Sequence, residues 1–313
     1  MISSKEPPSP AVEEAPEGFR SGFVHLLGRT NAGKSTLLNA LVRFHVAAVG
    51  AAAQTTRHRI LAVRHEPECQ MVFVDLPGLH RPLHRMNERM LGIISHSLAD
   101  EPDAVLFVVD ASAPFGAGDE FAAEQLKSVS SPAVLVLNKV DLVGKPSLLP
   151  RMELYQKVRD FKALVPVSAL HGDGLEALLR ETRALLPEGP KYFPDDYLTD
   201  RPEQFLVEEL IREAVIRPLR EEIPHSTAVS LERQEEKENV VVVQAAVWVE
   251  KNSQKGIVIG ERGRMIKKIS TGARRMLEDF FGKKVFLELR VSVKEGWRDR
   301  DAALDALGIT AKT

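Results

Sequence analysis

From residue 22 to about residue 186 the chain alternates short apolar runs with amphipathic stretches. The run Ala104-Val105-Leu106-Phe107-Val108-Val109 has no polar interruption. A strand apolar at every position is one covered on both faces. Runs of this kind predict strands over residues 23–27, 60–64, 70–75, 104–110, 133–138 and 163–168. Helical periodicity between them predicts helices over 34–41, 87–98, 119–128, 154–161 and 174–185. The alternation implies an α/β unit, a mainly parallel six-stranded sheet wrapped by helices, with ligands at the carboxyl ends of the strands. After residue 202 the pattern changes. A helix over 203–219 precedes strands over 226–233 and 240–249, which flank a charged turn at 234–239. A short helix before Gly260, a longer one over 265–281 and a strand over 284–293 complete an α-β-β-α-α-β order.

Between the two patterns, residues 187–202 hold four prolines and little periodicity. The expected division is a disordered tail at 1–20, a first domain at 21–187, a linker at 188–202 and a second, smaller α+β domain at 203–313. The tail carries Pro7, Pro8, Pro10 and Pro16 among glutamates and resembles neither a secretory signal nor a transit peptide. A chain of 313 residues is long enough for two cores. Its formal net charge of −2 gives no global field toward nucleic acid, so any such partner must meet a local patch. The single cysteine, Cys69, excludes an internal disulfide and fits a reducing cytosol. No apolar stretch is long enough to span a membrane.

The chemistry begins at Gly28-Arg29-Thr30-Asn31-Ala32-Gly33-Lys34-Ser35-Thr36, a G-x-x-x-x-G-K-S phosphate loop placed between a strand and a helix. Gly28 and Gly33 let backbone N–H groups wrap a polyphosphate, Lys34 reaches the β and γ phosphates, and Ser35 ligates Mg²⁺. The helix that follows aims its positive end at the anion. Four further motifs follow in order. Gln54-Thr55-Thr56-Arg57-His58 is a polar loop in which a threonine, Thr56 ahead of Thr55, completes the Mg²⁺ shell while a γ-phosphate is present. Asp75-Leu76-Pro77-Gly78 ends a strand; the carboxylate supports Mg²⁺ and the Gly78 N–H meets the γ-phosphate. Asn138-Lys139-Val140-Asp141 offers a carboxylate to guanine N1–H and N2–H₂, which a buried Asp141 would not find on adenine. Asn138 would tie this loop to the phosphate loop and the Lys139 stem would cover the base. Ser168-Ala169 brings a backbone N–H toward guanine O6. Together these define a P-loop GTPase.

Small GTPases commonly orient the attacking water with a glutamine after the D-x-x-G glycine. Here that position is Leu79, which cannot bond water. Slow unaided turnover is expected, with the water placed by backbone, a bound cation or a partner. Asn31 either ligates a monovalent cation such as K⁺ or braces the loop.

The second unit holds Gly260-Glu261-Arg262-Gly263-Arg264, a G-x-x-G turn between two helices. Such a turn clamps a nucleic-acid backbone in the KH fold, and the α-β-β-α-α-β order is that of its second topology. From residue 251 to 284 there are ten Lys/Arg against three Asp/Glu. Lys255, Gly260, Glu261, Arg262, Gly263, Arg264, Lys267 and Lys268 are the candidate RNA contacts, with single-stranded RNA the expected ligand. Met265, Ile266, Ile269, Ala273, Met276, Leu277 and Phe280 keep helical spacing and face the core. Trp248 and Trp297 are expected to pack rather than stack on bases.

Across about residues 20 to 308 the sequence resembles the Era family of bacterial GTPases with a C-terminal KH domain. The resemblance rests on Gln54 through Arg59, Asp75 through His80, Asn138 through Asp141, Phe193-Pro194-Asp195-Asp196-Tyr197, Ile223-Pro224-His225-Ser226, Val249-Glu250-Lys251, the G-x-x-G turn and Gly296-Trp297. It implies binding near the 3′ end of 16S ribosomal RNA and a checkpoint in assembly of the small subunit. It also implies a cytoplasmic protein with some peripheral attachment to the cell membrane. A monomer is expected, although the sequence leaves the oligomeric state open. The family usually has proline at Thr30, valine at Ala32 and threonine at Leu76, and carries serine and basic residues where Val49-Gly50-Ala51-Ala52-Ala53 stand here. Two other readings are an RNA chaperone whose GTP site is structural and a membrane-surface signalling GTPase.

Overall fold

The computed structural model describes residues 15–50, 55–79 and 82–310. Most of the expected tail and Gln54, Ala51–Ala53 and His80 from the motifs lie outside these residues. The first sheet is built from β1 (Arg20–Leu27), β2 (Ile60–Glu66), β3 (Cys69–Asp75), β4 (Ala104–Asp110), β5 (Ala133–Asn138) and β6 (Ala163–Pro166). Its order is β2-β3-β1-β4-β5-β6. Only β2 runs antiparallel, and the other neighbours are parallel. The apolar runs are buried on both sides, as their lack of alternation requires. On one face Val24, Leu26 and Leu106 pack against Leu37, Leu38 and Leu41 of α1 (Lys34–Val42) and Leu178 of α5 (Leu175–Leu185). On the other, Leu27, Val105 and Phe107 meet α2 (Arg85–Ala99), α3 (Ala117–Lys127) and α4 (Leu148–Gln156) through Ile94, Ala122, Leu126 and Tyr155.

Two expectations need correction. The helix predicted over 154–161 lies at Leu148–Gln156. Pro150 falls in its first turn, where no N–H is needed, so it does not block the helix. Phe161 comes after the helix and stacks on Phe107 at 6.1 Å. The tail also ends earlier than residue 20: Phe19 is buried, its carbonyl accepts the Gly189 N–H, and β1 begins at Arg20. Apolar burial orders these residues although their neighbours are polar.

The proline-rich stretch runs along the β2–β3 side of the sheet. The Gln70 side chain accepts the N–H groups of Tyr192 and Phe193 and donates to the Phe193 carbonyl. Tyr192, Phe193 and Tyr197 cover Leu61, Val63 and Val72. Beyond it stand α6 (Glu203–Ile216), β7 (Ala228–Glu236), β8 (Val240–Val249), α7 (Asn252–Ile259), α8 (Arg264–Phe281) and β9 (Lys284–Val293). β8 pairs antiparallel with β7 and parallel with β9. Ile269, Ala273 and Leu277 of α8 join Val207, Leu210 and Ile211 of α6 over Val241, Val243, Ala245 and Val247. The chain closes with a 3₁₀ turn at Trp297–Asp299 and α9 (Asp301–Ala306). These return to the first unit: Trp297, Leu304 and Ile309 pack on Met86 and Met90 of α2. No helix among the described residues is long and apolar enough to cross a membrane.

Candidate active site and nucleic-acid interface

The parallel strands bring the turns after β1, β3, β4 and β5 to one edge. There a cavity of about 470 Å³ is lined by Thr30, Asn31, Gly33, Lys34, Ser35, Thr56, Gly78, Asp110 and Lys139, among others. The phosphate loop curls so tightly that a Cβ on Gly28 would sit 2.1 Å from the Val108 carbonyl oxygen. Lys34 is buried, and its ammonium donates to the carbonyls of Gly28 at 3.0 Å and Arg29 at 3.1 Å. Burial pushes it down to about 8, against the pull of Asp75. A buried cation whose hydrogen bonds go to carbonyls, with one carboxylate nearby, is poised for an anionic ligand.

Beside it, Ser35 Oγ donates to Asp75 Oδ2 at 2.8 Å, Thr56 Oγ1 approaches the same oxygen at 3.2 Å, and the two hydroxyls contact each other. Burial pushes the Asp75 carboxyl up, with Lys34 and the two hydroxyls opposing, and its Oδ1 has no hydrogen-bond partner. Two hydroxyls and one under-satisfied carboxylate oxygen form a hard-oxygen set that suits Mg²⁺ shared with phosphates. Among the described residues no group of three or more His, Cys, Asp or Glu could hold a metal, so a protein-only cage is not on offer. The neighbouring Thr55 gives its backbone carbonyl to Arg212, whereas the Thr56 hydroxyl already stands with Ser35 and Asp75, which favours Thr56 as the ligand.

At the far end, Asn138 Nδ2 donates to the Ala32 carbonyl at 2.9 Å, tying the base loop to the phosphate loop. Lys139 stands at φ 63° and donates to the Asn31 carbonyl and to Asp110, each at 2.7 Å. Burial alone would raise Asp110, but bonds from Lys139 and Ser112 overcome it and hold the carboxyl below its ordinary value. Asp141 accepts from Ser168 Oγ at 2.6 Å. It is less enclosed than expected, since its side chain keeps 19% exposure. A base bound against this acid would have to finish its desolvation. The Ala169 N–H already donates to Asn138 Oδ1 at 3.0 Å, so a bond from it to guanine O6 would be shared. Leu76 and Leu79 are buried, and the Leu79 N–H donates to the Gly28 carbonyl at 3.2 Å.

On the second unit, the G-x-x-G turn has Gly260, Arg262 and Gly263 at φ 72°, 50° and 74°. Arg264, Lys267, Lys268, Arg274 and Arg275 are exposed along α8, opposite its buried stripe. Lys255 is half-buried on α7, and Glu261 pairs with Arg264 at 2.9 Å. Both tryptophans pack: Trp297 is fully buried and donates from Nε1 to the Ser226 carbonyl, and Trp248 lies against the same cluster.

Comparison with known proteins agrees with both halves. Residues 23–139 match the family model described as 50S ribosome-binding GTPase, and residues 222–298 match the KH domain model. Two solved structures superpose on nearly the whole chain. One is Era in complex with MgGDPNP and nucleotides 1506–1542 of 16S ribosomal RNA, 35% identical, with a TM-score of 0.88, covering 93% of this chain and 99% of that one. The other is a single-site variant of Aquifex aeolicus Era bound to GDP·AlF4⁻, 34% identical, with a TM-score of 0.87, covering 93% of this chain and all of that one. The chain belongs to the Era family. It is a GTPase with a P-loop domain followed by a KH domain.

Seen as an Era-family GTPase, its least expected feature is the grip of α6 on the switch. Glu213 accepts the Val49 N–H at 2.7 Å and lies 2.8 Å from His45 Nε2. Glu209 accepts the Ala48 N–H at 3.3 Å and a two-pronged bond from Arg212, whose guanidinium also reaches the Thr55 carbonyl. Burial would raise Glu209, and Arg212 more than offsets it, so the carboxyl stays ionised below its ordinary range. Thus α6 holds the chain on both sides of residues 51–54. Glu209, Arg212, Glu213, Asp110 and Asp119 were not singled out from sequence. The E-x-x-R-E spacing was the available signal, but it also describes an ordinary solvated helix face.

Proposed function

We propose that this GTPase is a nucleotide-gated RNA-binding switch that acts on small-subunit ribosomal RNA near its 3′ end during assembly of the 30S subunit. The observation that carries the reading is the position of Arg57. It follows Thr56 directly, is buried, and donates to the Thr227 carbonyl at 2.8 Å, the His225 carbonyl at 3.3 Å and the Pro224 carbonyl at 3.4 Å. Its guanidinium lies 5.5 Å from the Trp297 ring centroid. A shift of Thr56 when a γ-phosphate is lost therefore pulls on the entry to β7 and on the C-terminal turn.

Phosphate contacts belong to residues 28–36, with Gly78 at the γ-phosphate; guanine recognition belongs to Asn138, Lys139, Asp141, Ser168 and Ala169. Ser35 and Thr56, with Asp75 behind them, would hold Mg²⁺, which neutralises charge on the phosphates as the bond to the γ-phosphoryl breaks. Asn31 stands at φ 63° at the cavity wall and offers a site for K⁺. RNA contacts belong to Lys255, Gly260, Glu261, Arg262, Gly263, Arg264, Lys267 and Lys268, and the domain limits are 19–187 and 203–313. Cytoplasmic action with peripheral membrane attachment rests on the family resemblance alone.

The test is RNA affinity for a 3′-terminal 16S fragment in the GTP-analogue and GDP forms. The wild type should differ between the two, and by linkage RNA should alter the preference for GTP analogue over GDP by the same factor. Arg57→Ala should erase the difference while GTP hydrolysis persists. Equal affinities in the wild type would sink the reading. Turnover that is the same in potassium and sodium would remove the cation role of Asn31.

A further inference from the structure

We propose that the Thr30 hydroxyl holds the attacking water in this chain, the task that the side chain at 79 cannot perform. The D-x-P-G-L segment offers no polar side chain for it: Leu76 and Leu79 are buried, and proline and glycine lie between them. Thr56 is committed to Ser35 and Asp75. Thr30 stands at the γ-phosphate end of the cavity, against Gly78. A Cβ built on Gly78 would lie 2.7 Å from Thr30 Cγ2, 2.8 Å from its Cα and 3.1 Å from its N. Both residues line the cavity, and Thr30 is half-buried there.

The contact does more than place Thr30 nearby. A threonine is stiff at χ1, and here its methyl is the branch that packs on Gly78. That fixes the rotamer and therefore the direction of the hydroxyl. The hydroxyl makes no hydrogen bond with any described residue, so nothing competes for it. A pre-aimed acceptor costs no reorganisation as the reaction proceeds. In the step, the water oxygen forms the new bond to the γ-phosphorus, and the β–γ bridging bond breaks with its electron pair leaving on GDP. The water proton ends on the phosphate product. Thr30 accepts one hydrogen bond from the water and is unchanged.

The experiment compares Thr30→Val, which keeps the shape and loses the hydroxyl, with Thr30→Ser, which keeps the hydroxyl. The readouts are single-turnover GTP hydrolysis, GTP-analogue affinity and binding of GDP with aluminium fluoride. Thr30→Val should hydrolyse about tenfold more slowly, the worth of one neutral hydrogen bond made at the transition state. Its GTP-analogue affinity should stay within roughly twofold, because at residue 30 the phosphates meet the backbone and the hydroxyl bonds only the water. GDP–aluminium fluoride binding should weaken in step with the rate, and Thr30→Ser should keep both near wild type. A Thr30→Val rate equal to wild type overturns the proposal. So does a Thr30→Ser rate as low as that of valine, or a GTP-analogue affinity that falls in parallel with the rate.

Discussion

The molecule has two glycine turns, the phosphate loop and the G-x-x-G turn, and they are built in opposite ways. Gly28 needs its missing side chain because a distant strand is in the way: the Val108 carbonyl would lie 2.1 Å from its Cβ, and its φ is 149°. Gly263 has open space around it, with the nearest atom, on Ile266, 4.0 Å from a built Cβ, so only its φ of 74° speaks for glycine. Their ion pairs follow suit. In the phosphate loop Arg29 pairs with buried Asp119 at 3.1 Å, whereas beside the G-x-x-G turn Arg264 and Glu261 meet at 2.9 Å with both side chains 72% exposed. One cradle is fixed by the rest of the fold before a ligand arrives. The other is a local shape on an open surface that waits for one.

The largest test of this contrast is a matched pair. Gly28→Ala should destabilise the chain by about 3 kcal/mol or more, because strained φ and backbone overlap add. Nucleotide binding should go with it. Gly263→Ala should cost only about 1 kcal/mol, the φ penalty alone, and leave GTP affinity intact. Thermal melts of the full chain with nucleotide titrations decide it; equal losses would mean that the fold enforces both turns alike.

Asp119→Ala comes next. Its carboxylate serves Arg29, the Tyr155 hydroxyl at 2.8 Å and the Gly116 N–H at 3.2 Å. Removing it strands partly buried partners, and a loss of about 2–3 kcal/mol is expected from denaturant unfolding. Asp119→Asn should recover part of this through the two neutral bonds. A loss below about 0.5 kcal/mol, the scale of surface changes, would place this pair with the exposed one.

Which of these features the sequence discloses follows from where their partners lie. The strands over 104–110, 133–138, 240–249 and 284–293 were legible to the residue, because burial on known faces is written into local pattern. The motif residues at the strand ends were legible for the same reason: each needs a fixed place relative to its own strand. Asp119 read only as a helix start, since its partner Arg29 is ninety residues away. Glu213 is fully buried, yet by sequence it is one more charge on a helix. Its burial is decided by Val49 and His45 of the other unit, which no local pattern can announce. Asp141 departs in the opposite direction: expected buried, its side chain keeps 19% exposure.

The seam between the two turns can be asked which kind it resembles. His58 packs edge-on to Phe205 at 5.0 Å, and burial, with Arg201, Arg212 and Arg57 adding to it and Glu209 opposing, pushes its imidazole from 6.5 down to about 3. Between those values the unfolded chain binds the extra proton. The contribution is therefore whole above pH 6.5 and is lost as pH falls toward 3. The slope should be at most about 1.4 kcal/mol per pH unit. His58→Gln should flatten the stability profile between pH 6 and 4 relative to wild type, within that window. Parallel profiles would show a seam as open to solvent as the G-x-x-G turn.

The smallest effect on stability should come from Glu261→Gln, and it sharpens the contrast most. An ion pair with both members largely in water contributes little, so melting should shift by less than about 0.5 kcal/mol. The same change frees Arg264 and removes a negative charge from the turn proposed to meet RNA. RNA affinity should therefore rise, and its dependence on salt should steepen, because one more cation becomes available to displace counterions. In the phosphate loop the equivalent removal, Asp119→Ala, should weaken the ligand site by loosening Arg29, which lines it. If Glu261→Gln instead weakened RNA binding, the carboxylate would be holding Arg264 in a required pose, and the second turn would be pre-built like the first.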